Sequence, residues 1–105
     1  MNQIVVRSLA KDKNKSVTAD TAIYTAVDSD RSTDIISSRL EVSFADAGVL
    51  SINRNGVWET LNGGVALTAG ALYGFDIGMY PDVVYDIKYS ATTTAQIYWY
   101  WRIGL

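Results

Sequence analysis

The sequence predicts an all-β protein: a single antiparallel β-sandwich, jelly-roll-like, with about seven to eight strands. Three observations carry that prediction. Apolar residues recur with period two in one segment after another, the spacing of a strand with one buried face and one wet face. Turn-forming residues interrupt those segments every 8–12 residues or so, the rhythm of a sandwich or small barrel. The chain has 105 residues, 49% of them hydrophobic and 19% charged, which is enough for one packed core and too little for two.

Taken in order, residues 4–9 read as a short strand, and Lys11-Asp12-Lys13-Asn14-Lys15 as a charged, solvated connection. Residues 1–16 are read as an N-terminal strand or arm, and residues 17–105 as the β-sandwich domain. A detached arm could add Ile4, Val5 and Val6 as a strand to the edge of a neighbouring subunit. Residues 21–27 alternate Ile23, Thr25 and Val27 with Ala22, Tyr24 and Ala26, and the polar stretch 28–34 reads as a loop. Leu40, Val42 and Phe44 alternate with Arg39, Glu41 and Ser43 in a further strand.

Asn55-Gly56 then separates two strand-like runs, 50–54 and 57–61. Both central residues of a type I′ turn need positive φ, and Asn-Gly supplies it with least strain, so a two-residue hairpin is predicted here. Asn62-Gly63-Gly64 marks another loop. Residues 68–73 hold good helix formers, but the segment is short and flanked by glycine, which favours a turn. Tyr73, Phe75 and Ile77 alternate with Gly74, Asp76 and Gly78, and Val83, Tyr85, Ile87 and Tyr89 with Val84, Asp86, Lys88 and Ser90. Between those runs, Tyr80-Pro81-Asp82 confines the single proline to a loop. After a loop at 91–94, Ile97, Trp99, Trp101, Ile103 and Leu105 form the apolar phase of a closing strand whose other face carries Tyr98, Tyr100 and Arg102.

Composition narrows the chemistry. The chain has no cysteine and no histidine, so thiol nucleophiles, disulfides, imidazole bases, Ser-His-Asp triads and Cys/His zinc sites are excluded. A net charge of −2 gives no basic field for nucleic acid, and Lys11, Lys13 and Lys15 alone add little to it. No apolar run approaches the ~18 residues of a membrane-spanning helix. The opening Met1-Asn2-Gln3-Ile4-Val5-Val6-Arg7 lacks a signal-peptide layout, so synthesis in the cytoplasm without export by that route is expected.

Carboxylates are the remaining catalytic candidates. Glu41 and Glu59 are the only glutamates, and a hydrolase would need them to converge across a cleft. Alternation alone places them, with Asp76 and Asp86, on the wet phase of strands. Asp28, Asp30 and Asp34 invite a calcium reading, but an EF-hand would need glycine and glutamate where Thr33 and Arg39 stand. A solvated, turn-forming loop explains them. Gly63-Gly64 lacks the context of a phosphate loop. No catalytic residue, cofactor site or metal site is therefore assigned, and an enzyme is not expected.

Trp58, Trp99, Trp101 and seven tyrosines are many for so small a chain. Trp99 and Trp101 share the apolar phase of the closing strand and read as core. Tyr98 and Tyr100 line its other face, where they suit a protein–protein contact or cross-strand packing within the sheet.

The segment Leu61-Asn62-Gly63-Gly64-Val65-Ala66-Leu67-Thr68-Ala69-Gly70-Ala71-Leu72-Tyr73-Gly74-Phe75-Asp76, with the hairpin before it and the acidic turn and apolar strand after it, resembles small virion proteins of tailed phages and related prokaryotic viruses. The resemblance covers about the last two-thirds of the chain and consists of turns and alternation, without a catalytic signature. It implies a capsid decoration (cement) protein, a homo-oligomer with a trimer favoured, bound to the major capsid protein or other virion proteins and located in the virion. Nucleic acid and membrane are not expected partners. Ile4, Val5, Val6, Tyr98 and Tyr100 are the expected protein-interface residues. Alternatives are a glycan-binding or adhesin module, for which Trp58 or several tyrosines would be exposed together, and a tail, fibre or neck component.

Overall fold

The computed structural model describes residues 4–27, 35–54, 56–77 and 84–104. Among the described residues eight strands follow one another: β1 (Ile4–Val17), β2 (Tyr24–Val27), β3 (Ile35–Phe44), β4 (Leu50–Arg54), β5 (Val57–Thr60), β6 (Leu72–Ile77), β7 (Val84–Tyr89) and β8 (Thr93–Gly104). A short 3-10 turn, Asn62–Gly64, lies between β5 and β6. They form two four-stranded sheets, ordered β1-β8-β3-β6 and β2-β7-β4-β5. All the pairings are antiparallel.

The winding is simple to derive. The chain folds on itself as a long ribbon with β4 and β5 at its tip, so that β4 pairs β5, β3 pairs β6, β2 pairs β7 and β1 pairs β8. Curling that ribbon brings β8 beside β3 and β7 beside β4, and the two sheets stack. This is the eight-stranded jelly roll, as the alternation and turn spacing predict.

The core is the shared inner face. Leu40, Val42 and Phe44 of β3, Ala95, Ile97 and Trp99 of β8, and Ile77 of β6 meet Leu50 and Ile52 of β4 and Ile87 and Tyr89 of β7, all buried. Phe44 and Tyr89 join the sheets by a parallel ring stack with centroids 3.7 Å apart, and the Tyr89 hydroxyl donates to the Asp46 carbonyl at 2.7 Å. Buried Trp99 donates its indole N–H to Ser38 Oγ at 2.5 Å, which satisfies the one polar group that this large ring carries into the interior. Leu67 caps one end of the core from a loop, fixed by its N–H to the Gly48 carbonyl at 2.7 Å.

Two residues separate β4 from β5, with Arg54 opposite Val57, as expected of the Asn-Gly hairpin. Gly56 has φ 97°, and its N–H is held by Asn53 Oδ1 at 2.7 Å; Asn55 lies outside the described residues. The polar stretch 28–34, with Asp28, Asp30 and Asp34, and the Tyr80-Pro81-Asp82 loop also lie outside them.

One expectation is corrected. Lys11 to Lys15 is not a connection but the second half of β1, which runs unbroken from Ile4 to Val17 across the 16/17 position. β1 is an edge strand, where charged side chains are at home because one side of the strand faces solvent. Two extra residues are accommodated as bulges against β8, one between Ser8 and Ala10 and one between Asp12 and Lys15. At the second bulge Asn14 takes φ 55°, a conformation asparagine tolerates better than most residues. Gln96 clamps it from both sides, accepting from the Asn14 N–H at 3.1 Å and donating to Asn14 Oδ1 at 2.8 Å. β8 also begins earlier than the alternation suggests, taking in Thr93 and Thr94.

Candidate functional site

The outer face of the β1-β8-β3-β6 sheet carries the tyrosine pair, the Arg39 ion pairs and exposed Leu72. Register fixes its layout. Across the middle row, Lys11 of β1 stands beside Tyr98 of β8, then Glu41 of β3, then Gly74 of β6. One step along the strands, Tyr100, Arg39 and Asp76 are in line. One step the other way, Gln96, Ser43 and Leu72 are in line. An open groove of about 570 Å³ with mainly apolar walls crosses this face, lined by Lys11, Asp12, Lys13, Glu41, Leu72, Gln96, Ile97 and Tyr98.

The Tyr98 and Tyr100 rings meet at 4.9 Å between centroids, tilted by 53°, and both are half-buried. They occupy the outer face of β8, opposite the buried phase formed by Ala95, Ile97 and Trp99. The side chain of Trp101 lies outside the described residues. Beside the tyrosines, Arg39 lies flat across Gly74 and joins two carboxylates, Nε to Glu41 Oε1 at 3.1 Å and Nη1 to Asp76 Oδ1 at 3.0 Å. A β-carbon on Gly74 would collide with the Arg39 guanidinium, so the missing side chain is what admits it. The hydrogen bonds to Glu41 and then Asp76 hold the Arg39 pKa above its ordinary value.

Ile4, Val5 and Val6 pair through their backbones with Gly104, Ile103 and Arg102 of β8 in the chain's own sheet; their side chains lie outside the described residues. The two glutamates do not converge. Glu41 is on β3 in one sheet, and Glu59 is on β5 in the other, bonded to Arg54 at 2.7 Å. Asp76 and Asp86 are likewise split between the sheets, on β6 and β7. Trp58, on edge strand β5, is 38% exposed, and the Lys88 ammonium covers its ring at 4.3 Å from the centroid.

The two sheets are also tied along their open side. Tyr24 of β2 donates its hydroxyl to Asp12 Oδ2 of β1, and Lys15 reaches to 5.2 Å from the Tyr24 ring centroid. Burial first, and then the Asp12 carboxylate, push the Tyr24 pKa well above its ordinary value.

Alternation places Tyr98 and Tyr100 together on the outer face of β8, as observed, but does not reveal what surrounds them. Lys11 and Lys13 belong to the face because the Lys-Asp-Lys-Asn-Lys alternation is itself a strand signal, outweighed there by its charge. Leu72, read as part of a turn, opens β6 and is 74% exposed.

No family model matches the sequence, and no curated protein sequence matches it. The fold does have a solved counterpart. Over 97% of its length the chain is similar in structure to a chain of the T13 IBDV viral particle, with a TM-score of 0.55 and 11% sequence identity. This chain spans 31% of the length of that viral-particle chain. At such identity the likeness concerns the fold alone.

Proposed function

We propose that the chain is a non-enzymatic virion structural protein, a capsid decoration (cement) protein that binds an assembled shell and stabilises it. The observation that carries the reading is the jelly roll's match, over 97% of the chain, to part of a viral-particle protein. The sequence resemblance to small virion proteins points the same way and adds a prokaryotic virus as the setting. The site chemistry agrees. Glu41 and Glu59 are each engaged with an arginine on separate sheets, while the described surface offers a groove, a tyrosine pair and exposed apolar side chains suited to protein contact.

A cement protein works by linkage. It binds assembled lattice more tightly than free subunits, and so shifts the equilibrium towards the shell. Its partners in this account are the major capsid protein or neighbouring virion proteins, and its location is the virion.

The test compares virus particles made with and without the protein. Particles lacking it are expected to release their genome at a lower temperature, and adding the purified protein back restores the original value. Equal release temperatures, with no binding of the added protein to particles, would overturn the proposal.

A further inference from the structure

We propose that the outer face of the β1-β8-β3-β6 sheet is a self-association surface, on which two copies of this chain meet face to face about a two-fold axis parallel to the strands. The inference is separate from the virion reading and stands on the charge layout of the face.

Charge is segregated across that sheet. The β1 side carries Lys11 and Lys13, both exposed. Among the described residues neither lies within ion-pair distance of a carboxylate. Asp12 between them is turned inwards to Tyr24. Among the described residues the other side carries Glu41 and Asp76 with one cation, Arg39, shared between them, so there it keeps an excess negative charge. Between the two sides runs the groove with apolar walls.

Symmetry selects the arrangement. A two-fold axis parallel to the strands, passing between β8 and β3, preserves position along the strands and exchanges the two sides. It lays β1 of one copy over β6 of the other and β8 over β3. Lys11 then stands over Gly74, with Asp76 one step of about 7 Å along the strand and Glu41 on the adjacent strand. Lys13 stands over Leu72, so its methylene stem covers a side chain that is 74% exposed in the single chain. Tyr100 stands over Arg39, a pairing that guanidinium groups favour with aromatic faces.

Each contact occurs twice, as an isologous interface requires. The other in-plane axis, perpendicular to the strands, would lay β1 on β1 and bring lysine against lysine. Of these two arrangements, the one with its axis parallel to the strands is electrostatically complementary.

Sedimentation of the full chain from about 1 μM to about 300 μM provides the test. The wild type is expected to form dimers that weaken between about 0.05 M and about 0.5 M salt. The charge-reversed pair Lys11→Glu/Lys13→Glu should weaken homodimers about tenfold or more, and Glu41→Lys/Asp76→Lys should do the same. An equimolar mixture of the two variants should recover a dimer, because each now complements the other. Leu72→Arg, which changes a side chain the fold does not bury, should also dissociate the dimer by facing Lys13. Circular dichroism confirms that each variant remains folded. A wild type that stays monomeric, a dimer or trimer that ignores both reversals, or a mixture that fails to recover would each overturn the proposal.

Discussion

Trp99 and Ser38 illustrate how a polar atom is admitted to this core. The indole is fully buried and its N–H has Ser38 Oγ as partner. Ser38→Ala would remove the acceptor and leave the donor desolvated, a loss of about 1–3 kcal/mol, measurable by urea unfolding. Gly48 is constrained differently. A β-carbon there would stand 2.8 Å from two atoms of the buried Tyr89 ring and 2.9 Å from Ser90 Oγ. The ring cannot retreat, because Phe44 is stacked on it and its hydroxyl is bound to Asp46. Gly48→Ala is expected to cost about 1–3 kcal/mol by overpacking, whereas Gly74→Ala, which meets only the outer end of Arg39, should cost much less. The same denaturation series separates the two glycines. The burial of Trp99 was legible from the period-two pattern; that Ser38, two residues along β3 from its register partner Leu40, would accept from the indole was not, because the two are 61 residues apart in the chain.

Strands differ in what their sequences disclose. In β8 the alternation is clean, with Ala95, Ile97 and Trp99 buried and Thr94 and Gln96 exposed, because neighbours on both sides and a sheet beneath enforce it. In β6 the same alternation yields only half-burial of Tyr73 and Phe75, because β6 is an edge strand with one neighbour. β5, another edge, is exposed along its whole length. Periodicity therefore states which phase faces inwards, but not how deeply, and it does not state which sheet a strand joins. Glu41 and Glu59 look equivalent in the sequence and are parted by the winding of the ribbon.

The open side between β1 and β2 carries a testable pH dependence through Tyr24. Folding raises the phenol's pKa, chiefly by burial and then through Asp12. A raised folded-state value means that the stabilisation is intact below the ordinary phenol pKa of about 10 and fades as pH climbs through the raised one. Stability should therefore fall on the alkaline side. Tyr24→Phe should lower stability at neutral pH by about 0.5–1.5 kcal/mol for the lost hydrogen bond and make the alkaline decline shallower. Part of the decline should persist, since Tyr89 is also raised by burial. Thermal unfolding of both proteins from neutral to alkaline pH checks the sign.

For the molecule as a whole, alternation and turn spacing make the all-β sandwich legible, while the strand order is set by pairings between distant parts of the chain. The groove face combines residues of β1, β3, β6 and β8, so no local motif could have announced it. The most direct test is the number of copies of this protein per major capsid protein in purified virus particles, measured by quantitative mass spectrometry. The account predicts a ratio near one or a fixed large fraction of it, as expected of a protein that covers a lattice; absence from the particles would contradict it.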